Sequence, residues 1–538
     1  MSPDERKRLI TSLARGNRDF DLVVIGGGIT GAGIVREAAG SGLRTLLVEQ
    51  MDFAWGTSSR SSKMVHGGLR YLASGHFGLA RDAVRERQRM LEEAPGLVDP
   101  LQFVMPHYKG QFPGPGLFGI LLRVYDWLAG QQSRRFFSPG EALQWVPGLS
   151  MDRLRGASGF TDAVTDDARL VMRVLQEARA DGATCVNYVR ATEILRNSDG
   201  NVTGVRLEDA ANGDSGETSV WNLNTPIVIN ATGAWADSLR ASGRDNEHIR
   251  PLRGSHLVLP YSALPVSCSV SALHPDDRRP VFAFPWQGVT VLGTTDLDHN
   301  RGLEQEPVIT EPEIDYLLEV AARLFPASKI RRDQILSSWA GVRPVVSRGD
   351  GKSPSKENRE HVIWADRGLL SIAGGKLTTF RKIAREVIEK AQDYLPEHQL
   401  RPDQEPVFRQ PTELKRPSGI PHLQWRRLQG FHGSLVAEML TCGPAHPIPG
   451  TSLLWAEVIW AASQEDVMHL DDLMLRRTRL GLILPGGGRD LLPEIRTLCQ
   501  PKLGWDDSHW DKEEQRYLEI WSSAYFLPES PDTPGANA

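Results

Sequence analysis

Cysteine is scarce in these 538 residues: Cys185, Cys268, Cys442 and Cys499 lie far apart and form no C-x-x-C pair. That spacing excludes a Cys-ligated iron–sulfur domain and a paired-thiol redox centre, and it fits a reducing compartment. An excess of positive charge is also missing. Lys plus Arg number 62 against 67 Asp plus Glu, a net charge of −5, so the electrostatics give no reason to expect nucleic acid. Long hydrophobic runs are absent too. The most lipid-like stretch, Leu117 to Leu128, is far short of the roughly 20 apolar residues that span a bilayer. It reads as a core helix or as a helix lying on a membrane, with Phe118, Leu121 and Trp127 entering the headgroup boundary beside Arg123. The charged start Met1-Ser-Pro-Asp-Glu-Arg-Lys-Arg leads into no apolar signal core, so secretion is not expected. No metal site is expected.

What is present begins with Asp21-Leu-Val-Val-Ile-Gly-Gly-Gly-Ile-Thr-Gly-Ala-Gly. Leu22 to Ile25 form an apolar run suited to a buried parallel strand, and Gly26, Gly28 and Gly31 fit G-x-G-x-x-G. Gly26 permits the tight strand-to-helix turn, Gly28 leaves room for a pyrophosphate, and Gly31 lets the helix pack against the strand. A second strand, Thr45 to Val48, delivers Glu49 where a carboxylate accepts hydrogen bonds from ribose hydroxyls; an acid there disfavours a 2′-phosphate. Gly114-Pro-Gly-Leu-Phe-Gly119 matches the same pattern, but it follows no apolar strand, and Pro115 lacks the N–H that a phosphate cradle uses. With no second credible fingerprint, a reductase using both flavin and nicotinamide is not expected.

The length suggests about two to four domains. Two further glycine turns, at Gly233 and at Gly374-Gly375, each follow an apolar strand, so the three turns are expected at the carboxyl ends of one parallel sheet. Lys63, His66, Arg70, Arg343 and Lys376 lie in or near these segments, a pattern that suits an anionic ligand, although each one singly reads as a surface charge. His256 sits at the mouth of a strand, where a structural hydrogen-bonder and a base are both open readings. A capping box is expected at Thr310 and Glu313. From about residue 410 strands give way to helices, with Leu453 to Ala462 and Leu470 to Leu484 as helical stretches, and the last residues read as a disordered tail.

The segments IGGGITGAG, TSSRSSKMVHGGLRYL, TDDARL, NATGAW, GSHLVLP, GTTD, AGVRP and AGGKLTTFRK, in this order, resemble the FAD-dependent glycerol-3-phosphate dehydrogenases. The likeness covers roughly residues 20 to 390 well and the rest loosely, with Leu475-Arg-Arg-Thr-Arg-Leu-Gly similar to the family's cap domain. Departures are small: Glu37 and Ser41-Gly42 stand where the family commonly has Asp and Arg-Gly. The cysteine-rich extension of multisubunit relatives and the EF-hand of mitochondrial ones are absent, which points to the single-subunit bacterial type.

The resemblance implies an α/β, multi-domain fold. A Rossmann-like FAD-binding domain (about 20–80, 160–235 and 345–395) would interleave with an antiparallel-sheet substrate domain (about 81–159 and 236–344), followed by a helical cap (405–525) and a tail (526–538). It implies oxidation of sn-glycerol 3-phosphate to dihydroxyacetone phosphate by FAD, with electrons passed to a membrane quinone. The enzyme would be a cytoplasmic protein, peripheral on the inner face of the membrane and possibly a homodimer. FAD contacts would fall on Gly26, Gly28, Gly31, Glu49, Ser61, Ser62, Lys63, His66, Gly67, Gly233, Gly375 and Thr378. Substrate contacts would fall on Arg70, Tyr71, Arg343, Arg359 and Lys376, with His256, Arg343 and Lys376 catalytic. An oxygen-using glycerol-3-phosphate oxidase, an amine or amino-acid oxidase, and a flavin-bearing protein without turnover are the competing readings.

Overall fold

The structure is a computed structural model that describes residues 1–16, 19–73, 75–212, 219–240, 248–347, 360–409 and 414–528, without the side chains of Pro3, Arg70, Ala73 and Asn212. Arg359 and the expected C-terminal tail beyond residue 528 lie outside the described residues.

Leu22–Ile25 and Thr45–Val48 are buried along their whole length, as apolar four-residue runs in a parallel sheet must be. They sit inside a six-stranded sheet ordered Val362–Asp366, Leu369–Ala373, Val228–Asn230, Leu22–Ile25, Thr45–Val48, Thr184–Val186. Every neighbouring pair is parallel except the first. The strands that precede the three glycine turns, ending at Ile25, Asn230 and Ala373, are therefore adjacent, and their turns open at one edge of the sheet.

Helix Ile29–Gly40 packs against Asp167–Ala180 and Phe380–Ala391. Small residues make that contact possible: a Cβ on Gly33 would lie 2.7 Å from Cδ2 of Phe380. Leu22, Val24, Ile34, Val35, Val171, Leu175, Ile383 and Val387 pack into this core. Each such side chain contributes about 1.5–3 kcal/mol of burial.

A ten-stranded sheet forms the second layer. Eight strands run from Leu297–Asp298 through His248–Pro260, Val289–Gly293, Pro280–Trp286, Ser269–Leu273, Val98–Tyr108 and Leu154–Thr165 to Met64–Val65, and two more branch off them, Ser337–Ser347 beside His248–Pro260 and Arg135–Phe137 beside Leu154–Thr165. Its pairs are antiparallel apart from Ser269–Leu273 beside Val98–Tyr108. Met64–Val65 belongs to this sheet although it follows the nucleotide unit closely in sequence, so the two layers are laced together at residues 61–66.

Two expectations are corrected. Leu470 to Leu484 is not one regular helix: a π-helical turn spans Asp472–Arg477, Arg479 takes φ +62°, and a short helix follows over Leu480–Ile483. Arg476, Arg477 and Arg479 are all buried in this irregular stretch. In the Pro115–Ala129 helix, Phe118 is buried against Phe160 and Leu121 is half-buried, so neither is free to enter lipid. The apolar residues exposed on that helix are Leu117, Ile120 and Trp127, at 52%, 58% and 77%.

Candidate active site

The three glycine turns and the ten-stranded sheet enclose a cavity of about 860 Å³. At its sheet-edge end the chain turns at Gly26 with φ +112°, a conformation open to glycine. The following helix begins at Gly28 with no side-chain cap, and Gly28, Ile29 and Thr30 line the cavity, so the positive end of the helix dipole faces it. A Cβ on Gly31 would lie 1.9 Å from the Gly26 carbonyl oxygen; only glycine lets the helix start this close to the turn. Ser58 Oγ accepts from the Ile29 N–H at 2.9 Å.

Glu49 lines the same end. Its two carboxylate oxygens accept from the N–H groups of Gly27 (2.7 Å) and Met51 (2.9 Å), which leaves each oxygen a lone pair for a ribose hydroxyl. Burial raises its pKa, with the two N–H groups pulling the other way. A helix start with glycine at its N-cap, a glycine cradle and a cavity-lining carboxylate fit a dinucleotide such as FAD.

Ser61, Ser62, His66, Gly233, Gly375 and Thr378 also line the cavity. Gly67 and Lys63 do not. Gly67 donates its N–H at 3.2 Å to Asp162, which does line the cavity. Lys63 is fully buried on Asp167 at 2.8 Å, under the faces of Trp286 and Trp339, and burial lowers its pKa to about 8 despite that carboxylate.

Arg343 and Lys376 bring positive charge to the cavity. Arg343 Nη1 lies 2.8 Å from Asp296, and its Nη2 donates to Thr294 Oγ1 at 3.1 Å. Lys376 Nζ stands 3.7 Å over the ring of Tyr71, which places those two expected substrate residues side by side. The side chain of Arg70 lies outside the described residues; its backbone is in the Leu69–Ala73 helix immediately before Tyr71.

His256 is stacked on Trp339 with ring centres 4.9 Å apart. Its Nε2 meets Ser62 Oγ at 2.9 Å, while its Nδ1 is buried with no hydrogen-bond partner. Burial, and then the charges of Arg343 and Lys63, hold its pKa well below the ordinary value, so the ring is neutral. His256 is only 1% exposed, and it lines the cavity together with Ser62.

Three contributors escape a reading of the sequence alone. Asp296 orients Arg343, Thr294 shares that guanidinium, and Asp162 binds Arg87 and Tyr125 beneath the SSKMVHGG loop. The GTTD segment is visible as a strand end, but its partner Arg343 is 47 residues away, so no local spacing reveals the pair.

Comparison with known proteins agrees with this geometry. The family model described as FAD dependent oxidoreductase matches residues 21–381, and that described as the C-terminal domain of alpha-glycerophosphate oxidase matches residues 371–510. The chain is 39% identical to the aerobic glycerol-3-phosphate dehydrogenase of Bacillus subtilis, over 73% of this chain and 70% of that protein. It is 34% identical to glycerol-3-phosphate dehydrogenase 2 of Mycobacterium tuberculosis, over 97% and 91%. Among solved structures it is similar to the FAD complex of the Bacillus halodurans glycerol-3-phosphate dehydrogenase, with a TM-score of 0.76 and 26% identity over 97% of this chain and 98% of that one. The FAD-bound L-alpha-glycerophosphate oxidase of Mycoplasma pneumoniae shares the fold, with a TM-score of 0.55 and 18% identity over 73% and 98%.

Proposed function

Because the chain belongs to the FAD-dependent oxidoreductases, and within them to the glycerol-3-phosphate dehydrogenases, we propose that it oxidises sn-glycerol 3-phosphate to dihydroxyacetone phosphate and passes the electrons to a quinone. The observation that carries this reading is the opening of Arg343, Lys376 and the Ser62–His256 pair into the cavity that holds the glycine cradle. Bound FAD supplies the two-electron acceptor for carbon 2 of the substrate.

The chain's own residues do the rest. Arg343 and Lys376 hold the phosphate and the oxygen that becomes the carbonyl, with Arg70 and Arg359 as further cations for the phosphate dianion. Asp296 keeps the Arg343 fork in one orientation. The neutral His256 draws the hydroxyl proton through Ser62 Oγ, and the arriving phosphate dianion raises the basicity of the imidazole by offsetting Arg343. Anchoring the phosphate away from the reacting carbon turns binding energy into orientation.

A quinone resides in lipid. No helix among the described residues is long and apolar enough to cross a membrane. The exposed face of Leu117, Ile120 and Trp127, with Arg123 beside it, supports a peripheral contact through the Pro115–Ala129 helix.

The test is the visible spectrum of the flavoprotein under nitrogen. Glycerol 3-phosphate should bleach the flavin band and glycerol should not. Bleaching by amino acids instead would overturn the assignment, and re-oxidation by oxygen faster than by quinone would favour the oxidase.

A further inference from the structure

Two segments that stand out in the sequence, Thr165-Asp-Asp-Ala-Arg-Leu and Leu475-Arg-Arg-Thr-Arg-Leu-Gly, meet behind the cavity wall. Asp167, at the start of the Asp167–Ala180 helix, is fully buried and surrounded by donors. Its Oδ2 accepts from the N–H and the hydroxyl of Ser61 at 2.9 and 2.7 Å, and its two oxygens accept from Lys63 Nζ at 2.8 and 3.0 Å. Arg479 donates to Oδ1 of Asp167, to Asp166 at 3.0 Å and to the Ser59 carbonyl at 3.3 Å. Arg479 belongs to the stretch that matches the C-terminal domain of alpha-glycerophosphate oxidase. Lys63, Asp167 and Arg479 all stand outside the cavity lining.

What they fix is the backbone on either side of Ser62. The Ser61 N–H is held by Asp167, and the Ser61 carbonyl accepts from Trp339 Nε1 at 3.3 Å. On the other side, the Lys63 N–H donates to Ser61 Oγ at 3.0 Å, the Lys63 carbonyl accepts from the Thr165 N–H at 2.8 Å, and the chain turns at Lys63 with φ +57°. With both neighbours held, the direction of the Ser62 side chain is set, and its hydroxyl meets His256 Nε2 at 2.9 Å. Trp339 serves both halves of the pair: its ring stacks on the imidazole at 4.9 Å, and Lys63 Nζ stands 4.6 Å from its centroid. A buried ion cluster adds little net stability over a hydrocarbon core of the same volume. What this one supplies is fixed geometry.

We propose that Asp167, clamped from the C-terminal domain by Arg479, is a positioning residue for the Ser62–His256 pair and holds the Ser62 hydroxyl where the imidazole can receive the substrate's proton. The assignment rests on the flavin-dehydrogenase reading above. No bond of the cluster breaks in the reaction: the proton passes from the substrate hydroxyl to His256 by way of Ser62, and Asp167 and Arg479 keep theirs as they were. The groups that meet the Asp167 carboxylate are donors, so an amide in its place must turn its own N–H₂ toward one of them and leave that donor without a partner.

The test is anaerobic flavin reduction at saturating glycerol 3-phosphate in the holoenzyme, for Asp167→Asn and Arg479→Lys, each alone and combined with Ser62→Ala. Asp167→Asn should slow reduction roughly 10- to 100-fold, the penalty for a misplaced reacting group, while the half-saturating concentration stays within about twofold. Arg479→Lys, which keeps the charge but not the planar fork, should slow it roughly fivefold, the worth of one lost hydrogen bond. In the Ser62→Ala background neither should slow it further, because the cluster acts through that hydroxyl. Losses that multiply with the Ser62→Ala loss overturn the proposal, and so do parental rates in both single variants. Melting temperature and bound FAD identify loss of fold, and where Asp167→Asn loses it, Arg479→Lys decides. A readout without substrate separates this assignment from the activity it rests on. In nitrogen NMR spectra of protein carrying isotope-labelled histidine, the His256 Nε2 resonance, identified by its loss in His256→Gln, should move in Asp167→Asn in the same direction as in Ser62→Ala. An unmoved resonance overturns the proposal. If glycerol 3-phosphate does not bleach the parent, the substrate reading fails, while this spectrum still decides the positioning.

Discussion

Replacing Asp52 by alanine should loosen both the cap and the cofactor, and the size of the effect follows from the ion pairs that converge there. Asp52 is fully buried three residues after Glu49. It accepts from Arg476 Nε at 2.5 Å, from Arg477 Nη1 and Nη2 at 2.8 and 2.7 Å, and from Asn187 Nδ2 at 3.1 Å. Arg476 retains Asp471 and Asp472 when Asp52 is removed. Arg477 retains only the Glu465 main-chain carbonyl among its hydrogen-bond partners in the described residues. Breaking a buried pair from one side costs about 3–5 kcal/mol, because the surviving charge stays desolvated. At about 1.4 kcal/mol per tenfold, the docking equilibrium of the cap falls roughly 10²- to 4 × 10³-fold. The Glu49–Trp55 loop also rests on the glycine turn, where Ala54 N–H donates to the Gly27 carbonyl at 3.0 Å, so FAD should be released at a lower temperature. Tryptophan fluorescence reports unfolding and flavin fluorescence reports release in the same heating ramp. A melting temperature within about 1 °C of the parent, with FAD retained, would refute the argument, since even about 1 kcal/mol moves a domain of 150–250 residues by about 2–4 °C. The acid dependence has a fixed sign. Burial alone would raise the pKa of Asp52, but Arg477 and Arg476 outweigh it and hold the carboxyl below its usual range. Its stabilisation is therefore complete above the unfolded carboxyl pKa, about 3.9, and is lost as the pH falls through the lower folded value.

Four further outcomes are expected. Gly31→Ala should yield colourless protein, because its Cβ would lie 1.9 Å from the Gly26 carbonyl oxygen, and retention of stoichiometric FAD would count against the cradle. His256→Ala and Ser62→Ala should each slow anaerobic flavin reduction about 10²–10⁴-fold with binding little changed, and the double variant should be no slower than the worse single one; additive losses would separate the two residues. Since the pKa of His256 is depressed, the acid limb of kcat/KM for reduction should lie below pH 6.5, and a limb above it would assign that limb to another group. Ile120→Glu with Trp127→Glu should abolish sedimentation with anionic liposomes while leaving flavin reduction by glycerol 3-phosphate intact, and unchanged sedimentation would clear this helix of the role.

The nucleotide end of the protein is legible in the sequence because its determinants are local. A four-residue apolar strand, glycines at fixed offsets and an acid after the next strand are short-range constraints, and the structure keeps Gly26, Gly28, Gly31 and Glu49 in the arrangement their spacing indicates. The adjacency of the strands ending at Ile25, Asn230 and Ala373 is legible for a related reason: each is a buried run before a glycine turn, and one parallel sheet satisfies all three. Tertiary structure decided the remainder. Lys63 shares a segment with the cavity residues Ser62 and His66, yet the chain turns at φ +57° and buries it on Asp167, 104 residues away. Ser62 and His256 meet across 194 residues, and Arg476 and Arg477 reach Asp52 across more than 420. The Pro115–Ala129 helix shows its apolar character in sequence, but only packing against Phe160 decided that Phe118 turns inward and Ile120 outward. Local sequence sets backbone conformation through sterics and short-range hydrogen bonds; which charge meets which is decided by burial, where an ion keeps its charge only beside a partner that the fold brings from far along the chain.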